Sequence, residues 1–200
     1  MNTLTPTAVD WLLQQSRFSI EYFLETKNLF PFEKVTIPEQ IKEEVLALSG
    51  AFILIESYFG NKRIAYIRGE NGVFERVEPL AKIVHQVAVN AAFFDPHTPR
   101  LKNFELNEMV LHLLVPSEKQ IVSNGRMGLP TELAENSTGL ILETRGRIAY
   151  DLPQMISEAL SVEQRVRKLL LRLGVKGQKA VDSVDFYTFT VQHHSEVKRE

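Results

Sequence analysis

The run Ala51-Phe52-Ile53-Leu54-Ile55-Glu56 is almost continuously apolar and only as long as a strand. Successive strand side chains point to opposite faces, so such a run calls for apolar cover on both. Gly60-Asn61 follows as a turn signal, and Arg63-Ile64-Ala65-Tyr66-Ile67 returns as the partner strand. The chain is therefore expected to build on an antiparallel hairpin. This hairpin leads into Arg68-Gly69-Glu70-Asn71-Gly72-Val73-Phe74, which reads as a loop entering a helix through Pro79-Leu80-Ala81.

That helix spans Pro79 to Asp95, with Leu80, Ile83, Val84, Val87, Ala88, Ala91 and Phe94 on one stripe. Ala88, Ala91 and Ala92 are small, so a neighbour can approach closely there. Lys82 and Gln86 are expected to face solvent. Asp95-Pro96-His97-Thr98-Pro99 ends the helix, because proline restricts the residue before it and donates no hydrogen bond. An earlier helix starts at Thr5-Pro6, a capping residue followed by proline at the first helical position. Its Val9, Leu12, Leu13, Ser16, Ile20, Phe23 and Leu24 form one face and Trp11, Phe18 and Tyr22 a second, which predicts packing on two sides. Asn28 to Pro38 reads as an extended connector, and Ile41 to Leu48 as a short helix or an irregular piece.

Further along, Glu108 to Val115 reads as a strand and Lys119 to Val122 as a short extended segment turned by Asn124-Gly125. Gly139 to Thr144 and Arg147 to Leu152 flank Arg145-Gly146 as a second hairpin. Pro153 opens a short helix through Leu160. Val162, Val166, Leu169, Leu170 and Leu173 stripe a last helix that Gly174 ends. Phe186 to Gln192 is a strand, with Tyr187-Thr188-Phe189 expected in a sheet near the first helix. His194 to Glu200 is expected to fray. Hairpins dominate and no regular βα alternation is present, which defines an α+β fold with mainly antiparallel sheets and flanking helices.

Two hundred residues suit one domain of one or two lobes. There is no cysteine, which excludes disulfides, thiolate nucleophiles and cysteine metal sites, and fits a reducing, cytoplasmic setting. A net charge of −2 supplies no general attraction to nucleic acid. The first residues lack the basic and apolar regions of a signal peptide, and no apolar run reaches the roughly 20 residues of a membrane helix. Arg165, Arg167, Lys168, Arg172, Lys176 and Lys179 form a basic stretch without interleaved aromatics, which reads as a solvated helix face.

Gly69 and Gly72 bracket Glu70 and Asn71, with Arg68 at the entrance. These five residues and Asp95 are the candidate ligand-binding set, expected to line one cleft where the loop folds back along the helix. Arg68 would hold an anionic group, Glu70 accept a proton or hydrogen bond, Asn71 orient the ligand and Asp95 form the far wall. A plainer reading gives the glycines a tight turn at positive φ and ties Arg68 to a carboxylate such as Asp95. His85 and His97 are secondary candidates. The sequence has no HExxH and no paired histidines at helical spacing, so no metal site is assigned. No phosphate-loop motif is present, and no cofactor is expected. His193-His194 reads as exposed tail.

In order and spacing these segments resemble the AMMECR1 domain family over nearly the whole chain. Gly50-Ala51-Phe52 is similar to the family's GAFVT-type strand, and Arg68-Gly69-Glu70-Asn71-Gly72 stands where the family reads RGCIG. Ala91-Ala92-Phe93-Phe94-Asp95-Pro96-His97-Thr98-Pro99-Arg100-Leu101 resembles its AAFRDPRFPPL-like segment. Gly139-Leu140-Ile141-Leu142 and Leu152-Pro153-Gln154 resemble its GLIL and LPQ elements. The resemblance implies a single domain of two lobes over residues 1–200, the larger using both chain ends, and no agreed activity. It also implies Memo-like or radical SAM proteins as partners. Glu70-Asn71 replaces the family's Cys-Ile, so cysteine chemistry is excluded here. Two functions follow as expectations: a small-molecule binder or enzyme acting at residues 68–74, or a non-catalytic protein-interaction module.

Overall fold

In the computed structural model, residues 3–58, 65–125, 128, 130, 138–153 and 160–196 are described. The chain divides into two compact units, one of Met1–Pro116 with Gln192–Glu200 and one of Ser117–Val191. Both are mixtures of helices and antiparallel strands.

The first unit holds α1 (Pro6–Thr26), α2 (Lys42–Leu46), β1 (Ala51–Tyr58), β2 (Ala65–Val73), α3 (Leu80–Phe93), β3 (Met109–Pro116) and β8 (Val191–Ser195). Its sheet has the order β2-β1-β3-β8. β1 pairs antiparallel with β2, as the hairpin pattern predicts, and also with β3; the Gly60-Asn61 turn itself lies outside the described residues. Ile53, Ile55, Leu111 and Leu113 form the face that packs with α1 and α3. On the other face Phe52, Leu54 and Leu114 are also buried, which is why β1 is apolar at nearly every position.

The helices follow their stripes. Thr5 caps α1 by accepting from the Ala8 N–H, with Pro6 at its first position. Phe18 and Tyr22, on the second face of α1, are met by Phe30 with edge-on rings at 4.9 and 5.2 Å. The connector that supplies Phe30 is interrupted by a 3₁₀ turn at Phe32–Lys34. In α3, Val84, Val87, Ala88 and Ala91 are buried while Lys82 and Gln86 are exposed.

The second unit holds β4 (Gln120–Asn124), β5 (Gly139–Thr144), β6 (Arg147–Asp151), α4 (Val162–Arg172), α5 (Gln178–Val181) and β7 (Asp185–Phe189). Its sheet runs β4-β7-β5-β6. β5 and β6 form the expected antiparallel hairpin. Arg145 and Gly146 both have positive φ, 48° and 74°, which suits a two-residue turn to the twist of the strands. Leu140, Leu142, Val166, Leu169 and Phe186 are among the core residues between this sheet and α4.

Tyr187-Thr188-Phe189 is in a sheet, as expected, and that sheet belongs to the second unit. Other expectations are corrected. His193 and His194 are strand residues in β8 rather than frayed tail. Glu196 is anchored there: its carboxylate accepts from Arg17 Nε at 2.8 Å and from the Leu111 N–H at 3.0 Å. Arg165 does not sit on a solvated face. It is buried, donating to both carboxylate oxygens of Asp151 at 2.9 and 2.8 Å and to the Thr138 carbonyl at 2.8 Å. Most of the helix expected over 153–160 lies outside the described residues. No helix among the described residues is long and apolar enough to cross a membrane.

Candidate functional site

Arg68 to Val73 is strand rather than loop. The segment completes β2 and pairs with β1 from Gly69↔Ile55 to Val73↔Ala51. Between Ile67↔Glu56 and Gly69↔Ile55 the register slips, leaving Arg68 as the extra residue of a bulge. A bulge re-aims the side chain it carries. Here it sends Arg68 into the interior, where the residue is 6% exposed. Its Nε and Nη2 donate to the two carboxylate oxygens of Glu105 at 2.6 and 3.0 Å. Nη1 donates to the Pro99 carbonyl and Nη2 also to the Arg100 carbonyl at 3.0 Å.

The guanidinium is thus taken up by the chain's own acceptors, and the segment after α3 is moulded around it. Burial pushes the Glu105 carboxyl up, but hydrogen bonds from Arg68 and the Lys102 N–H, and the charges of both residues, outweigh this and hold it below its usual value.

The glycines serve close approach rather than positive φ, since neither is among the positive-φ residues. A Cβ on Gly69 would stand 2.1 Å from the Ala91 carbonyl oxygen of α3. One on Gly72 would stand 2.1 Å from the Phe52 ring. The Gly69 contact is the close approach that the small residues of α3 anticipated, made with a glycine of β2.

Glu70 and Asn71 are neighbours in an extended strand, opposite Leu54 and Ile53, and so project to opposite faces of the sheet. The expected single cleft holding both side chains does not form. The Glu70 backbone N–H, on the outer edge of β2, donates to Asp95 Oδ2 at 2.9 Å. Asp95 Oδ1 accepts from the His97 N–H at 2.8 Å. Asp95 thereby ties the exit of α3 to the sheet edge, while His97 is exposed.

His85 is buried in α3 against α1. Its Nδ1 meets Ser19 Oγ, and Ser19 Oγ also donates to the Gln15 carbonyl at 2.8 Å. A serine has one proton to give, so Nδ1 must carry the hydrogen of the first contact. Burial lowers the His85 pKa to about 4, keeping the ring neutral. Among the described residues, no group of three or more His, Asp or Glu side chains is arranged to hold a metal ion.

A cavity of about 420 Å³ is lined by Thr3, Leu4, Glu43, Glu44, Ala47, Leu48, Ser49, Arg76, Leu80, Val115 and Gln192. None of the candidate residues of the 68–72 segment lines it. Its walls come from the start of α1, the end of α2, the start of α3 and the closing strand. These pieces are distant in sequence, so no local motif announced them. A polar cluster missed in the sequence, Glu56, Tyr58, His112 and His193, sits on the sheet face away from the helices. Its one sequence signal is His112, a lone polar residue inside an apolar strand.

The AMMECR1 family model matches residues 13–194. The chain belongs to the AMMECR1 family. A protein of Sulfolobus acidocaldarius is 35% identical over 137 residues, covering 66% of this chain and 58% of the relative. Protein NEQ441 of Nanoarchaeum equitans is 32% identical over 171 residues, covering 82% and 86%. The chain thus spans less than two thirds of the Sulfolobus relative's length and most of the Nanoarchaeum one's. The crystal structure of uncharacterized protein PH0010 from Pyrococcus horikoshii shares the fold, with a TM-score of 0.80 over 98% of this chain and 94% of that one at 21% identity. In this AMMECR1-family chain, the segment resembling the family signature is a bulged edge strand whose arginine is locked into the interior.

Proposed function

We propose that this AMMECR1-family protein binds a small amphipathic molecule in the cavity between α2, Arg76 and Gln192. The observation that carries the reading is the cavity's size and lining. About 420 Å³ falls within the roughly 300–1,000 Å³ of ordinary ligand sites, which pair apolar walls with a few polar groups. Leu4, Ala47, Leu48, Leu80 and Val115 offer an apolar body its surface. Glu43 and Glu44 suit an amine, and Arg76 suits a carboxylate. Glu44 is positioned by accepting from the Thr5 N–H at 2.7 Å and the Thr5 hydroxyl at 3.1 Å. Arg76 is held by donating to the Pro116 carbonyl at 3.1 Å. An apolar body with one amine and one carboxylate describes an apolar amino acid or short apolar peptide.

The test is isothermal titration of the full chain with a panel of apolar amino acids and dipeptides. Ala47→Trp fills the cavity from an exposed wall position outside the core. Binding by wild type and its loss in Ala47→Trp, with the melting temperature retained, support the reading. No binding across the panel, or equal binding by both proteins, overturns it. The reading carries with it the cytoplasmic location and the Memo-like or radical SAM partners that the family implies. Cell fractionation and affinity capture against those two partner classes test these.

A further inference from the structure

The sheet face away from the helices is apolar at Phe52, Leu54 and Leu114 and polar at one end. Leu54 lies opposite His112 across the β1–β3 pair, and Glu56 and Tyr58 follow Leu54 on the same face. His193 reaches this place from β8. Tyr58 Oη donates to Glu56 Oε2 at 2.9 Å. The same oxygen lies 3.2 Å from His112 Nε2, a charge contact bent away from a linear hydrogen bond. On the far side of the ring, His112 Nδ1 lies 3.0 Å from His193 Nε2. The two imidazole planes are 30° apart with centroids 5.2 Å apart. His193 is exposed, while the Glu56 and His112 side chains are 26% and 12% exposed.

This chain fixes the tautomers in order. A carboxylate beside His112 Nε2 holds the proton on that nitrogen. Nδ1 of neutral His112 is then a lone pair and accepts from His193 Nε2–H. His193 is left with an unprotonated Nδ1 on the exposed ring. Partial burial of the ring, followed by the neighbouring His112 and His194, keeps His193 below its usual value of 6.5, with Glu56 pulling the other way. The titratable groups that act on His193 are His112 from β3, His194 from β8 and Glu56 from β1, with Tyr58 bound to Glu56.

We propose that this cluster is a general-base site, separate from the ligand cavity, that activates water or the hydroxyl group of a small substrate. His193 Nδ1 takes the hydroxyl proton, and the oxygen keeps the bonding pair as it attacks. The imidazolium so formed donates through Nε2 to His112, and the Glu56 charge stabilises it through that ring. Tyr58 holds the carboxylate in place. Glu56 and His112 are positioning residues. None of the four lines the cavity.

The experiment uses the full chain and two readouts. Nitrogen-15 NMR reports the tautomer and pKa of His193. Hydrolysis of 4-nitrophenyl acetate reports water activation: water adds to the carbonyl, one of its protons goes to Nδ1, and 4-nitrophenolate leaves as acetic acid forms. The expected tautomer has Nε2 protonated and Nδ1 bare. Glu56→Gln should lower the His193 pKa, and His193→Gln should cut the hydrolysis rate by roughly tenfold or more. A protonated Nδ1 overturns the proposal, as does an unchanged hydrolysis rate in His193→Gln. An unshifted His193 pKa in folded Glu56→Gln does so too. If Glu56→Gln fails to fold, the wild-type tautomer and the His193→Gln rate decide the matter.

Discussion

Arg68 and Glu105 meet as a two-pronged ion pair, Nε to Oε1 at 2.6 Å and Nη2 to Oε2 at 3.0 Å, with both side chains 7% exposed. The residue that stood out as a ligand-binding cation is instead the hub that joins β2 to the segment following α3. Removing one partner of a buried pair leaves an uncompensated charge, which costs about 3–5 kcal/mol. Arg68→Met should lower unfolding stability by about that much in urea titration. The double variant Arg68→Met/Glu105→Leu should recover the share due to the lone carboxylate and keep the share due to the Pro99 and Arg100 carbonyls and the Lys102 N–H that lose their partners. Equal losses in single and double variants would show that the pair is not the source.

The same logic applies at the chain's closing strand. Glu196 accepts from Arg17 and from the Leu111 N–H, and the Arg17 side chain is 8% exposed. Glu196→Ala should destabilise the first unit and speed hydrogen exchange at the β8 amides. Exchange that is faster throughout the protein, with β8 no more affected than α1, would contradict a local latch.

Gly69 and Gly72 give opposite signals to turn glycines. Gly72→Ala places a methyl group into the Phe52 ring and 2.7 Å from the Ala51 carbonyl oxygen, and Gly69→Ala places one 2.1 Å from the Ala91 carbonyl oxygen. Each should cost about 1–3 kcal/mol through overpacking. Gly69→Ala should be the worse, because its clash with a backbone carbonyl is the closer, 2.1 Å against 2.7 Å for Gly72. Thermal or urea unfolding that ranks Gly72→Ala as the more damaging would argue against this packing.

His85 makes stability depend on pH. Its folded pKa is depressed to about 4 from 6.5, so the unfolded chain binds the proton first as pH falls. The neutral folded ring therefore contributes fully above about pH 6.5, and that contribution fades as pH drops toward 4. Between pH 7.5 and 4.5 the wild type should lose roughly 2–3 kcal/mol more than a folded His85→Gln variant, since a tenfold difference in proton affinity is worth about 1.4 kcal/mol. Parallel urea titrations at the two pH values check this; identical pH slopes would refute a neutral buried imidazole.

What the sequence made legible was local. The continuous apolar run predicted a doubly covered β1, the stripes predicted α1 and α3, and Arg145-Gly146 predicted a hairpin turn. The errors came from distance. Nothing near Arg68 shows that a glutamate 37 residues on will neutralise it. Gly69 and Gly72 look like loop glycines until α3 and the Phe52 ring are laid against the strand. Glu196 looks like tail until Arg17, 179 residues earlier, claims it. The cavity and the Glu56–His112–His193 chain share this property, since each draws its side chains from strands or helices far apart in sequence.

The central claim is that ligand binding resides in the cavity beside Arg76 and not in the 68–72 segment. The most direct measurement is isothermal titration of apolar amino acids and dipeptides into Ala47→Trp and Glu70→Gln side by side with wild type. Glu70→Gln should bind as wild type does, while Ala47→Trp, equally stable, should bind nothing. Lost binding in Glu70→Gln at unchanged melting temperature, with Ala47→Trp unaffected, would contradict the claim and return the site to the edge strand.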